Sequence, residues 1–239
     1  MPQTAEYGFW KSPITSAVIV AESIRLGQIA VSGNDIYWTE GRPREAGRYA
    51  IVRRTPHGAT QEITPEPFNA RTRVHEYGGG GFWLAGATVF FTNFNDQRLY
   101  SVAPGDPPRP ITPEAAWRYA DGIVDHRRNR LIAIREDHTQ AGREAVNTVV
   151  AIDLSGDRGQ TVLASGADFY SDPRLSPDGT RLCWLEWRHP NMPWDGSELR
   201  VAEILPNGAL GDPRLVAGGV DESIFQPQWS PGGTLYFIS

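Results

Sequence analysis

Lysine and cysteine are almost missing from this chain of 239 residues, and each shortage removes a class of chemistry. Lys11 is the only lysine, the other basic residues being arginine, so no Schiff-base lysine or phosphate-loop lysine exists in the body of the chain. Cys183 is the only cysteine, which excludes an internal disulfide framework and any multi-cysteine zinc or iron–sulfur centre. No GxSxG nucleophile elbow and no HExxH pair occurs, so no hydrolase serine of that kind and no zinc site of that kind is expected. No cofactor and no metal is expected at all. No run approaches the ~18 apolar residues of a membrane span, and no charged-then-apolar leader opens the chain, so a cytoplasmic protein away from membranes is expected. The net charge of −5 argues against nucleic acid as a partner.

What is abundant is turn chemistry and aromatic strand formers. Gly 25 and Pro 19 are spread along the whole chain, so nearly every window long enough for a helix is interrupted. Against them stand 8 Trp, 8 Tyr and 9 Phe within a 40% hydrophobic composition, which predicts many short strands rather than disorder or a helical bundle.

The strands recur. Ile36, Val89, Leu131, Leu182 and Leu235 anchor similar apolar segments at spacings of 53, 42, 51 and 53 residues. The last two copies follow nearly identical turns, Ser176-Pro177-Asp178-Gly179 and Ser230-Pro231-Gly232-Gly233, with Pro and Gly placed as in a type I turn. Four strands in each unit of ~50 residues is the pattern of a β-propeller. The reading is all-β, with blades at 28–66, 67–114, 115–166 and 167–218 and an incomplete fifth at 219–239, after an N-terminal segment 1–27. Because the chain stops inside that fifth blade, it is expected to be a fragment of a longer protein whose open edges favour self-association.

With strands A to D running outward, the short Ser-Pro-Asp-Gly turns are A–B connections on one face. The longer B–C segments, Gly41 to Arg48, Asp137 to Asn147 and Trp187 to Ser197, lie on the other, together with the D–A connection Phe68 to Tyr77. That elaborated face is where function is expected. Two constellations stand out on it. Arg73, His75, Glu76 and Tyr77 lead into four consecutive glycines, and strand alternation would put Arg73, His75 and Tyr77 on one side and Glu76 on the other; a salt-bridged inner rim is the alternative reading. His189, Asn191, Trp194 and Asp195 lie in a loop stiffened by two prolines, where Trp194 offers contact area at low entropy cost; a loop packed on itself is the alternative.

Three stretches also resemble a known family: Tyr7-Gly8-Phe9-Trp10-Lys11-Ser12-Pro13-Ile14-Thr15, Val74-His75-Glu76-Tyr77-Gly78-Gly79-Gly80, and His189-Pro190-Asn191-Met192-Pro193-Trp194-Asp195-Gly196. The chain resembles the N-terminal propeller of prolyl oligopeptidase-family serine peptidases, in the acylaminoacyl-peptidase and dipeptidyl-aminopeptidase-like branch. The resemblance implies a partner, a C-terminal α/β-hydrolase domain that holds the catalytic Ser, Asp and His and is absent from this sequence. No catalytic residue is therefore carried over. It implies a non-catalytic role, gating the access of short peptides, with the N-terminal segment, including Ile14, Val18, Ile19 and Val20, crossing to the hydrolase domain. The rival reading is a stand-alone TolB-like propeller that binds proteins or ligands.

Overall fold

In a computed structural model, residues 4–16, 23–156 and 159–239 are described; Val18, Ile19 and Val20 lie outside them. Strands β1 (Arg25–Ser32), β2 (Asp35–Arg42), β3 (Arg48–Arg54) and β4 (Thr60–Glu62) form the first sheet. The second contains β5 (Phe82–Ala85), β6 (Thr88–Thr92), β7 (Leu99–Val102) and β8 (Arg109–Pro110). The third contains β9 (Trp117–Asp125), β10 (Arg130–Asp137), β11 (Val146–Asp153) and β12 (Gln160–Ala164). The fourth is β13 (Phe169–Leu175), β14 (Arg181–Trp187), β15 (Glu198–Glu203) and β16 (Arg214–Gly218), and β17 (Phe225–Trp229) pairs with β18 (Leu235–Ile238) alone. Every pairing is antiparallel between sequence neighbours, so each sheet is a meander.

The recurrent turns close as their sequences require. Gly179 N–H donates to Ser176 O at 2.8 Å and Gly233 N–H to Ser230 O at 2.9 Å, both glycines holding positive φ. Arginines then tie these turns to their neighbours. Arg128 Nη1 donates to Gly179 O at 3.0 Å and Arg181 Nη2 to Gly233 O at 3.3 Å.

The sheets stack face to face through apolar layers. Ile132, Ile134 and Val149 of the third sheet pack with Tyr170, Leu182 and Trp184 of the fourth. Trp83 and Phe90 of the second pack with Tyr119, Leu131 and Val150 of the third. That last contact needs a residue without a side chain: a Cβ on Gly122 would lie 2.1 Å from the Trp83 ring.

The innermost strand of four sheets breaks register at one place. The bulges fall around Gln28 in β1, Asp121 in β9, Asp172 in β13 and Gln226 in β17, and the last three have φ of 52°, 52° and 51°. A bulge turns its extra residue out of the ladder, and all four side chains line one central cavity.

Candidate functional site

The cavity holds about 970 Å³, and its floor is this ring of bulge residues. Asp121 brackets three sheets. Its carboxylate accepts the Gly80 N–H at 2.5 Å and the Asp172 N–H, while its own N–H donates to Gly80 O at 3.0 Å. The glycine run makes this approach practicable, since a Cβ on Gly80 would lie 2.7 Å from Asp121 Oδ1. Burial, followed by repulsion from Asp172, pushes the Asp121 carboxyl up to about 6. Gln28 fills the corresponding place on the other side, its Oε1 accepting Gly81 N–H at 2.9 Å.

Above the floor, residues 73–77 are a turn and not a strand, which corrects the expected alternation. His75 and Glu76 both adopt left-handed backbone, φ 57° and 62°, and Gly78 N–H closes the turn on Val74 O at 2.8 Å. Two successive non-glycine residues in that region are costly, and the third sheet holds them there. Glu136 of β10, buried, accepts the His75 N–H at 2.6 Å and pairs with His138 Nε2 at 3.1 Å. Arg118 of β9 donates to Arg73 O at 3.0 Å and to Glu76 Oε1 at 2.5 Å. The Arg118 hydrogen bond holds the Glu76 carboxyl below its ordinary range, while burial lowers the basicity of His75.

The turn keeps the His75 and Tyr77 rings in contact, their centroids 5.5 Å apart. His75 points inward against Trp187 at 5.1 Å and Phe169 at 5.7 Å between ring centroids. Tyr77 projects outward, 54% exposed, and meets Trp194, 65% exposed, at 6.4 Å across the cavity mouth. Arg73 stays on the surface, 3.6 Å from Glu76.

Within the second loop, polar side chains are used to hold its shape. Asn191 Nδ2 donates to Val220 O at 2.6 Å, and Asp195 Oδ2 accepts the Met192 N–H at 2.9 Å. His189 Nε2 lies 3.3 Å from Glu144 of the neighbouring loop, and its ring packs 5.0 Å from Phe169. The structure thus brings His75, Tyr77, His189 and Trp194 into one aromatic wall with Phe169 and Trp187. Arg118, Glu136, Asp121 and Asp172 complete the site and were not singled out from sequence. Asp121-Gly122 and Asp172-Pro173 did carry a signal, a polar residue before Gly or Pro inside a strand, which marks a bulge. Among the described residues no cluster of His, Cys, Asp and Glu has metal-holding geometry, and no helix is long and apolar enough to cross a membrane.

Four four-stranded antiparallel sheets and a two-stranded fifth around one axis define the class, an incomplete β-propeller. Solved structures with the same arrangement include puromycin hydrolase, at 36% identity and TM-score 0.89 over 99% of this chain and 39% of that one. A puromycin-hydrolyzing peptidase of Mycobacterium tuberculosis is similar at 37% identity and TM-score 0.89, with the same coverage. TolB from Acinetobacter baumannii shares the fold at 16% identity and TM-score 0.59, over 88% of this chain and 47% of that one. No family model and no curated protein matches the chain. The chain corresponds to the propeller part of these prolyl oligopeptidase-family peptidases and spans about two-fifths of their length.

Proposed function

We propose that this chain is the non-catalytic propeller portion of a serine-type oligopeptidase and that its loop face gates the passage of short peptides to an α/β-hydrolase domain. One observation carries the reading. The turn at 73–77 and the loop at 188–196 meet over the mouth of the central cavity, Tyr77 against Trp194, whereas on the opposite face the tight turns at Gly179 and Gly233 are tied down by Arg128 and Arg181. In this reading the cavity admits an extended peptide and excludes folded protein. The N-terminal residues Tyr7, Phe9, Trp10 and Ile14, all exposed, would pack on the hydrolase domain. The rival TolB-like scaffold rests on likeness of fold alone.

The test joins this chain to the α/β-hydrolase domain of puromycin hydrolase in place of the matched portion. Turnover is expected to fall at least tenfold between tetrapeptides and peptides of about twenty residues, and replacing 188–196 by a tight turn is expected to relax that limit. Turnover independent of length would sink the proposal.

Self-association is part of the same proposal for the isolated chain. Leu26, Ile29 and Val31 of β1 and Tyr236, Phe237 and Ile238 of β18 present exposed apolar surface on strands. Light scattering across a concentration series should show mass rising above 26.4 kDa; a strictly monomeric species at all concentrations would refute it.

A further inference from the structure

Tyr77 and Trp194 are large exposed rings on the loop face of a cavity that is also lined by the exposed strand residues Ile29, Tyr236 and Ile238. Behind Tyr77 stands the His75 turn, anchored to Glu136 and Arg118. Behind Trp194 stands a loop whose Pro193 O accepts from Ser223 Oγ at 2.7 Å and whose Asp195 caps Met192. The backbone that carries each ring is therefore already held, which removes one cost of binding. At 6.4 Å and 49° the two rings form an open angle, and aromatic groups gain most at centroid separations of about 4.5–7 Å in offset or edge geometry. A guest ring on their free faces extends the cluster in which His75 already packs 5.5 Å from Tyr77.

The charged groups lining the cavity are two carboxylates and one guanidinium. Asp121 and Asp172 line the cavity, and Arg174, its one cation, is already bonded to Asp172 at 2.8 Å. A volume of about 970 Å³ is at the upper end for a small-molecule site and has room for a tripeptide.

We infer that Tyr77 and Trp194 form a subsite for the aromatic side chain of a short, non-acidic peptide. This rests on the reading that the loop face meets peptides, and it adds a side-chain preference that the size filter alone does not require.

The experiment titrates three tripeptides, capped at both ends, into the 239-residue chain by calorimetry: Gly-Phe-Gly, Gly-Ala-Gly and Glu-Phe-Glu. Gly-Phe-Gly is expected to bind at least tenfold tighter than Gly-Ala-Gly and at least fivefold tighter than Glu-Phe-Glu. Trp194→Ala should weaken Gly-Phe-Gly at least fivefold, while Trp194→Phe stays within about twofold of the parent. Tyr77→Leu provides a second variant at another exposed position should the first not fold. No measurable binding of Gly-Phe-Gly, equal affinity for Phe and Ala peptides, or indifference to both variants would overturn the inference. Equal affinities that still fall with Trp194→Ala would remove the aromatic preference and leave the size filter standing, since that reading falls only with the length dependence of turnover.

Discussion

Glu136→Leu is expected to destabilise the chain by about 3–5 kcal/mol, the range for removing one partner from a buried charge network. The carboxylate is 4% exposed and serves three groups from two sheets: the His75 N–H at 2.6 Å, His138 Nε2 at 3.1 Å and Arg118 Nη1 at 3.6 Å. Leucine matches its bulk and none of its bonds. The His75 N–H is left without its acceptor inside a turn that already holds two left-handed residues. Glu136→Gln keeps an oxygen for that N–H and should cost only about 1 kcal/mol. At roughly 2–4 °C per kcal/mol for a chain of this size, the leucine variant should melt about 8–15 °C below the parent by circular dichroism. The two variants melting together within about 2 °C of the parent would show that Glu136 does not hold the turn.

The second expected result has the opposite sign. Asp121→Asn should raise the melting temperature at pH 8 by roughly 6–12 °C and change it little at pH 4. The carboxyl sits at about 6 in the fold against an ordinary 3.8. A group raised in this way contributes stability that is fully present below 3.8 and is lost as the pH climbs through 6. The difference is worth up to about 3 kcal/mol at pH 8. Asparagine is neutral throughout, and its carbonyl oxygen can still accept the Gly80 N–H. A lower melting temperature at pH 8, or an equal shift at both pH values, would refute this account of the cavity floor.

The recurring architecture was readable from the sequence because its punctuation is local. Pro177 and Gly179, or Pro231 and Gly233, specify their turns within four residues, and the apolar strands follow at a regular interval. The placement of the 188–197 loop on the same face as Tyr77 followed from counting strands. The turn at 73–77 resisted the same treatment. Alternation presumes extended backbone, and His75 and Glu76 leave it where Glu136, 61 residues from His75, and Arg118, 42 from Glu76, bind them. Arg118 and Glu136 lay hidden for a related reason: nothing local marks them, and the turn groups they bind lie more than 40 residues away. The bulge residues lay between these cases, with the Gly and Pro signal present but its meaning set by four sheets converging on one axis.

The loop-face account is tested most directly by hydrogen exchange, comparing this chain alone with the same chain joined to the α/β-hydrolase domain. The joined protein should show slowed exchange at 73–77, 138–145 and 188–196, with 176–179 and 230–233 unchanged. Protection confined to the Ser-Pro-Asp-Gly turns, or none on either face, would contradict it.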